Sequence, residues 1–360
     1  MAVGLPLKTT YADGDVYSAS DVNDTNGTIN ANVNPYTAGK NRIINGDFGV
    51  WQRGTSAFTA DGVFTADRFS FSQGSTSGAQ VTQGTFTPAE LTVAGGTTNF
   101  YMNIAGTMTS ASGGYIQVQQ PIENVRTFQN STVTVSFYAK GTTAGSINIL
   151  FRQNFGSGGS SEVLTTPVNF SITTSWARYS TTISIPSVSG KTIGANSALT
   201  LTIVKNMGTS YPTFGTSNYT GTLSLWGVQV EAGSTATAFQ TATGTIQGEL
   251  AACQRYYWRT TVGADCLTGF QGAAYSTTGA YGIMNSKVTM RTTPTSVDYS
   301  NIRLTDGTTN FTITGLALWN IGTESAIGLL GTGASGLTQF RPYAFNATAS
   351  GGYVGISAEL

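Results

Sequence analysis

Residues 223–230 read LSLWGVQV and residues 133–138 read VTVSFY, and in both stretches apolar and polar side chains nearly alternate. Alternation with a period of two indicates a β-strand with one buried face. Further alternating or short apolar runs lie between clusters of Gly, Ser and Thr, at residues 115–118 (YIQV), 147–151 (INILF), 183–185 (ISI) and 199–204 (LTLTIV). About eight to ten strands without a fixed repeat length predict an antiparallel jelly-roll sandwich rather than a barrel or propeller.

A different pattern follows at residues 245–260 (TIQGELAACQRYYWRT). Ile246, Leu250, Cys253 and Tyr257 recur at helical spacing, which predicts a short amphipathic helix that buries these four side chains. We expect the run YYWR at its end to form a buried hinge between two domains.

Strand-like runs return after the helix and predict a second, smaller β-sandwich, with strands near residues 288–290, 311–313, 316–319 and 353–356. The predicted fold class is therefore mainly β. The predicted domains are an N-terminal arm (1–40), a jelly-roll (41–240), a linking helix (241–260) and a C-terminal β domain (261–360).

The N-terminal arm differs from the rest of the chain. Val22, Ile29 and Val33 form a thin apolar stripe on a predicted short helix, after a turn that contains Tyr11 and Asp15. Such a stripe buries too little to fold alone. The arm is either frayed or becomes ordered in an assembly.

Composition excludes several classes of protein. Charged residues make up 9% of the 360 residues, Lys+Arg and Asp+Glu are 17 each, and there is no histidine. Ser/His/Asp and Cys/His catalysis and His-ligated zinc are therefore excluded, and binding to nucleic acid is disfavoured. We also expect no signal peptide, no membrane insertion and no disulfide between Cys253 and Cys266.

Several short motifs together resemble virion proteins of tailed bacteriophages, in particular tail-fibre and receptor-binding proteins. They are residues 41–54 (NRIINGDFGVWQRG), 66–71 (ADRFSF), 227–239 (GVQVEAGSTATAF), 248–259 (GELAACQRYYWR), 290–295 (MRTTPT) and 355–360 (GISAEL). The resemblance implies a jelly-roll like that of carbohydrate-binding modules, a helix and a distal sandwich, often assembled as a homotrimer.

On this resemblance we expect a virion protein without enzymatic activity. Residues 1–40, including Tyr11, Asp15, Val22, Ile29 and Val33, would attach it to other tail or capsid proteins, and the C-terminal domain would bind a host surface glycan or protein. Three alternatives remain: a head-decorating fibre or adaptor that contacts only virion proteins, a secreted carbohydrate-binding module, and a glycosidase.

No cofactor is expected, although related jelly-rolls hold a structural calcium ion between their first and last strands. The resemblance makes Asp47 and Glu231 the candidate metal ligands, since carboxylates suit this cation. A competing interpretation is that Asp47 caps a turn and pairs with Arg53 or Arg68.

Sugar rings stack on exposed aromatic faces while neighbouring amides bind the hydroxyls. Trp51 and Trp226 lie within strand motifs and are expected in the core. The candidates for carbohydrate contact lie near turn residues or in the C-terminal domain: Trp176, Tyr211, Tyr219, Tyr281, Trp319 and Tyr343. Packing within loops, or between subunits of a trimer, is the alternative role for these side chains.

Overall fold

The computed structural model describes residues 39–94, 98–265, 267–319 and 322–360. The predicted attachment residues Tyr11, Asp15, Val22, Ile29 and Val33 lie outside these ranges, as does Cys266. The described chain is mainly β, with antiparallel sheets, and this confirms the predicted fold class.

In the described part of the chain, thirteen strands precede the main helix. They are β1 (Val63–Phe64), β2 (Ser70–Gly74), β3 (Thr76–Thr85), β4 (Phe100–Met108), β5 (Tyr115–Glu123), β6 (Ser131–Gly141), β7 (Gly145–Asn154), β8 (Val163–Leu164), β9 (Val168–Ile172), β10 (Ala177–Ile185), β11 (Ala198–Met207), β12 (Ser217–Asn218) and β13 (Leu223–Ala232). A helical turn, α1 (Leu91–Ala94), and a 3₁₀ turn at Pro212–Phe214 lie between them. Each strand predicted between residues 115 and 230 lies within one of these.

These strands form two facing sheets. Sheet A has the order β10-β6-β13-β4-β3, and sheet B has the order β1-β2-β5-β11-β7-β8, with β12 on β11 and β9 on β7. Between them lies a core that includes Phe71, Phe137 and Leu201, each at most 1% exposed. Burial of each such side chain stabilises the fold by about 1.5 to 3 kcal/mol.

A bulge in β13 changes which residues face this core. Leu225 and Val228 both point inward, although they are three residues apart, because Gly227 adopts a left-handed conformation (φ 63°) where the pairing with β6 shifts. Glycine is suited to this conformation because it has no Cβ. The bulge leaves Trp226 on the outer side of sheet A.

The main helix, α2 (Ile246–Gln254), is shorter than predicted. It begins at Thr245, whose hydroxyl accepts a hydrogen bond from the Gly248 N–H at 3.0 Å, as an N-cap residue does. Its buried side chains are Glu249, Cys253 and Gln254.

The predicted apolar face of α2 is wrong at two of its four positions. Ile246 is 72% exposed and Leu250 is 37% exposed. Glu249 takes the inward position instead, because its carboxylate accepts hydrogen bonds from backbone groups of the jelly-roll. Tyr257 is buried as expected, but it lies in a strand rather than in the helix.

The remaining strands form two more sheets. They are β14 (Tyr257–Val262), β15 (Leu267–Ala274), β16 (Gly279–Asn285), β17 (Ser296–Ser300), β18 (Ile302–Thr305), β19 (Asn310–Thr312), β20 (Gly315–Trp319), β21 (Ala326–Thr332), β22 (Pro342–Ala347) and β23 (Gly352–Ser357). Sheet C has the order β19-β18-β22-β15-β16-β21-β20, and sheet D has the order β14-β23-β17. The strand predicted at residues 288–290 is wrong, since these residues form a bend beside Pro294.

Sheets C and D pack against each other through a second core. Phe270, Leu329 and Phe345 contribute from sheet C, and Trp258 and Ile356 contribute from sheet D. In the described ranges, no helix has the length and hydropathy that a membrane-spanning helix requires.

Candidate functional site

The outer face of sheet C carries partly exposed aromatic side chains. Along β16, Ala280 and Met284 point into the core, whereas Tyr281 is half-buried and Ile283 is 51% exposed. Because successive side chains of a strand point to opposite faces, Tyr281 and Ile283 share the outer face.

Tyr281 and Trp319 form a close ring pair on this face. Their ring centroids are 4.6 Å apart and the rings are tilted by 39°. Strand β21 separates their strands, where Tyr281 is opposite Leu330 and Trp319 is opposite Gly328. Gly328 lies between Trp319 and Ile283 on the central strand. Because glycine has no side chain, no side-chain atoms separate these two residues.

The four strands around this pair are uncharged. Strands β15, β16, β20 and β21 contain no Asp, Glu, Lys or Arg. Gln271 is exposed and lies directly opposite Ile283, so its amide borders the aromatic pair. An aromatic surface with a neighbouring amide has the chemistry that binds the C–H face and the hydroxyls of a neutral sugar.

Two candidates for carbohydrate contact are buried, which corrects the prediction for them. Tyr219 and Tyr343 are each 2% exposed and belong to the two cores. The Tyr343 hydroxyl accepts a hydrogen bond from the Thr338 N–H at 2.9 Å, and the Tyr219 hydroxyl donates to the Thr143 carbonyl at 2.8 Å. Neither ring offers a free face to a ligand, because each packs under its own loop.

Trp176 is half-buried in an aromatic cluster on the outside of sheet A. The cluster also contains Phe86, Tyr101, Tyr138, Trp226 and Phe239. The Trp176 indole donates a hydrogen bond to Glu90 at 3.0 Å, and Lys140 forms an ion pair with the same carboxylate. Within this ion pair Lys140 donates a hydrogen bond to the Glu90 carboxylate, and this bond lowers the pKa of Glu90 to about 2.

Trp226 was expected in the core. It is buried, at 2% exposed, but it lies in this outer aromatic cluster and not between the two sheets. Trp51 is half-buried beside the main core.

Tyr211 is 38% exposed and lies near the outer face of sheet B, where its ring meets Tyr115 edge to face at 5.8 Å. The polar side chains of this face are engaged with each other. Arg152 donates to Gln119 at 2.8 Å and to Glu162 at 2.9 Å. The face that carries Tyr211 therefore also carries the charged residues Arg152 and Glu162, whereas the strands around the Tyr281–Trp319 pair carry no charge.

The first and last segments of the jelly-roll lie together, as the resemblance implies. The Arg42 N–H donates to the Val230 carbonyl at 3.0 Å, and the Val228 N–H donates to the Gly46 carbonyl at 2.8 Å. The two candidate metal ligands nevertheless have different neighbours. Glu231 accepts bonds from Thr237 and forms an ion pair with Lys40.

Asp47 lies beside Glu249 instead. Its carboxylate accepts a 3.4 Å hydrogen bond from the Gly49 N–H, which fits the turn-capping part of the competing interpretation. The pairing part is wrong, because Arg53 pairs with Asp67 and Glu359, and Arg68 pairs with Glu359. Burial and the nearby Glu249 carboxylate raise the pKa of Asp47 to about 6. Among the described residues, no group of three or more His, Cys, Asp or Glu side chains is arranged to hold a metal ion. The calcium site stays a prediction.

Glu249 is a structural residue that the sequence did not reveal. One carboxylate oxygen accepts the Asn45 N–H at 2.8 Å, and the other accepts the Thr243 N–H at 2.7 Å. It borders a cleft of about 410 Å³ together with Asp47, and Ile246 lies at the same cleft.

The short motifs that resemble phage proteins come together at the junction of the two sandwiches. Glu359 near the C-terminus pairs with Arg53 and Arg68 of the jelly-roll. The Arg53 guanidinium lies over the Tyr257 ring at 3.5 Å, and that of Arg68 lies over the Tyr256 ring at 3.4 Å. Residues of these motifs therefore form ion pairs and cation–π contacts between the two sandwiches.

Asp67 completes this junction. It is 1% exposed, accepts a hydrogen bond from Gln52 at 2.5 Å and lies 3.8 Å from Arg53. Burial raises its pKa to about 7, although the Arg53 charge acts in the opposite direction. Burial also raises the pKa of the neighbouring Cys253 thiol well above its usual range. Neither Asp67 nor Cys253 is accessible to a ligand.

No protein-family model matches the chain, and no curated protein matches it. Among solved structures, it is similar to a CBM4 module at 19% identity, covering 53% of this chain and 99% of that chain, with a TM-score of 0.31. It is also similar to a family 11 carbohydrate-binding module of a Clostridium thermocellum cellulase (12% identity, 51% of this chain and 99% of that chain, TM-score 0.31).

A further similarity is to the enzymatically active domain of tailspike protein 4 of bacteriophage CBA120, at 15% identity and a TM-score of 0.33. It covers 54% of this chain but only 21% of that chain. The identities and TM-scores are low, so the function is argued from the side chains of this chain.

Proposed function

We propose that the chain is a phage virion protein that attaches the particle to a host surface by binding neutral glycans. The observation that carries this proposal is the Tyr281–Trp319 ring pair on the outward face of four strands of sheet C that contain no charged residue, with Gln271 close by. Sugars bind such surfaces by stacking and by hydrogen bonds to amides.

The motif resemblance supports the virion context. In this proposal residues 1–40 dock to other virion proteins, three copies assemble into a fibre, and the C-terminal domain meets the host. Binding without turnover is sufficient, because several weak contacts per fibre and several fibres per particle multiply into useful avidity.

The alternatives differ in their ligands. A head-decorating fibre or adaptor would contact only virion proteins, and a secreted carbohydrate-binding module would bind glycan outside any particle. Density for the N-terminal arm in an intact virion would favour the host-binding fibre and the head-decorating or adaptor role over the secreted module.

A glycan array with the full chain tests the binding step. We expect wild type to bind neutral glycans, and we expect Trp319→Ala to weaken binding by up to about tenfold, because one ring stack is worth about 0.5 to 1.5 kcal/mol beyond its burial. Trp319→Phe keeps an aromatic ring at this position and should retain part of the affinity. It is the control that distinguishes loss of stacking from a folding defect.

Tyr211→Ala is the matched control, because Tyr211 is an exposed aromatic residue of the other sandwich. It should bind like wild type. Equal losses in Tyr211→Ala and Trp319→Ala, or no binding of any neutral glycan by wild type, would contradict the proposal.

A further inference from the structure

A third aromatic residue lies on the same outer face as the Tyr281–Trp319 pair. Strands β15 and β16 pair with Ala273 opposite Tyr281, and the Tyr275 N–H then donates to the Gly279 carbonyl at 3.0 Å. Because positions two apart on a strand share a face, Tyr275 is on the side that Ala273 and Tyr281 occupy. Tyr275 is 39% exposed.

The ring of Tyr275 lies flat across the end of β16. A Cβ atom built on Gly279 would fall 2.5 Å from ring carbon Cε1 of Tyr275, so the ring occupies the space that a side chain at this position would take. Together with Gly328 opposite Trp319, Gly279 is a position where a missing side chain lets a ring lie along the sheet instead of standing away from it.

Tyr275, Tyr281 and Trp319 therefore follow a diagonal across the sheet, which we call the aromatic track. Neighbouring strands are about 4.8 Å apart, and successive residues on one face are about 6.8 Å apart. Trp319 is two strands and one row away from Tyr281, and Tyr275 is one strand and one row farther, so the backbone positions of the aromatic track span on the order of 20 Å, while the Tyr281 and Trp319 ring centroids lie 4.6 Å apart. The backbone span is longer than one sugar ring.

The chemistry along the track is uncharged. Strands β15, β16, β20 and β21 contain no Asp, Glu, Lys or Arg, and Arg341, whose carbonyl accepts the Ala274 N–H, is already paired with Asp306 at 3.2 Å. Amides are present at Gln271 and at Gln339, and the Gln339 side chain donates to the Tyr275 carbonyl at 3.0 Å. An anionic glycan would lose its hydration here without gaining a cationic partner. Neutral rings do not carry this cost.

We infer that the aromatic track binds an internal stretch of at least three units of an extended, uncharged polysaccharide, with one sugar ring over each aromatic ring. This inference rests on the proposed function and adds the length and charge class of the ligand. A terminal monosaccharide would use only one of the three stacking positions.

Calorimetric titration of the full chain with neutral linear gluco-, manno- and galacto-oligosaccharides, from dimers to octamers, tests the inference. In the series that binds, affinity should rise up to the trimer or tetramer and then level off. Tyr275→Ala should weaken hexamer binding about tenfold, as expected for one lost stack, and should change dimer binding less than twofold.

Tyr275→Phe is the matched control, because it keeps the ring and removes only the hydroxyl. It should retain the dependence on length, and unfolding curves should show that both variants are folded. Equal affinity for dimers and hexamers in wild type, or a uniform loss in Tyr275→Ala at every length, overturns the inference while leaving glycan binding intact.

Three other outcomes have separate meanings. If wild type binds none of these neutral sugars, the proposed function fails. If Tyr275→Ala or Trp319→Ala lowers the oligomer mass in solution, the aromatic track is a contact between copies of this chain, and both proposals are wrong. An anionic oligosaccharide that binds more tightly than its neutral counterpart overturns the charge class alone.

Discussion

The outer faces of sheets B and C show how two antiparallel sheets in one chain can use similar residues differently. On sheet B, Arg152 connects Gln119 to Glu162, so polar groups satisfy one another. On sheet C, the strands around Tyr281 and Trp319 carry no charge, and the rings pack only on each other. A face that satisfies its own hydrogen bonds has less to gain from a ligand than a face of partly open rings.

The largest expected effect separates the two cores. Phe345→Ala removes a fully buried ring whose centroid is 4.2 Å from the centroid of the Phe270 ring. We expect this change to lower the free energy of unfolding by about 3 to 5 kcal/mol. Phe137→Ala is the corresponding change in the jelly-roll, where Phe137 is also fully buried.

Hydrogen exchange with mass spectrometry then locates the damage. If the two sandwiches have independent cores, Phe345→Ala lowers protection in sheets C and D, and Phe137→Ala lowers it in sheets A and B. Equal loss of protection over all four sheets in either variant would show one cooperative unit and would remove the basis for comparing the regions.

The next effect concerns the junction between them. Glu359→Gln leaves Arg68, which is 1% exposed, without its carboxylate partner. Breaking a buried ion pair costs about 3 to 5 kcal/mol, and we expect about 3 kcal/mol here because Arg68 keeps its bond to the Pro121 carbonyl. Denaturant unfolding measures this.

Glu123→Gln is the control for the junction, because its partner Arg255 is 43% exposed. An exposed pair contributes about 1 kcal/mol or less. A smaller effect of Glu359→Gln than of Glu123→Gln would mean that the junction does not depend on Glu359.

The smallest effect is a dependence on pH that belongs to the jelly-roll. The folded state raises the pKa of Asp67 from 3.8 to about 7, so between these values the folded state binds the proton more tightly than the unfolded state. Stability from this group is therefore greatest below about pH 4 and falls as the pH rises through 7, with a loss of roughly 2 kcal/mol between pH 5 and pH 7, since one pKa unit corresponds to about 1.4 kcal/mol.

Unfolding measured at pH 5, 6, 7 and 8 tests this slope. Asp67→Asn should reduce it most above pH 6, because the raised pKa of Asp47, about 6, contributes a slope of the same sign below that pH. The C-terminal domain offers the contrast. Backbone hydrogen bonds from Thr309 and Thr308 lower the pKa of Asp306 to about 2, so Asp306→Asn should leave the slope above pH 5 unchanged. Stability that rises from pH 5 to 7 in wild type would show that Asp67 does not control the slope.

Much of the fold was predictable because strand periodicity is local. The alternation at residues 133–138 and 223–230 lies within β6 and β13, which are neighbours in sheet A. The apolar face of α2 was not predictable, because Glu249 is drawn inward by backbone donors at Asn45 and Thr243, and one of these is about 200 residues away in sequence.

The candidate site was predictable only in part. Tyr281 and Trp319 were chosen by residue type and are brought together across β21, whereas Tyr343, chosen on the same grounds, is buried. The role of Gly279 in seating Tyr275 depends on the pairing of β15 with β16, and no signal in the sequence gives that register.

The order of residues alone determined that this chain forms antiparallel sheets and that imidazole takes no part in its chemistry. Only tertiary packing decided which rings remain open, as the contrast between Trp226 and Trp319 shows: both point away from a sandwich core, but Phe86 and Phe239 cover the first. The physical reason is that alternation assigns side chains to a face through local geometry, whereas burial depends on which distant segments come to lie over that face.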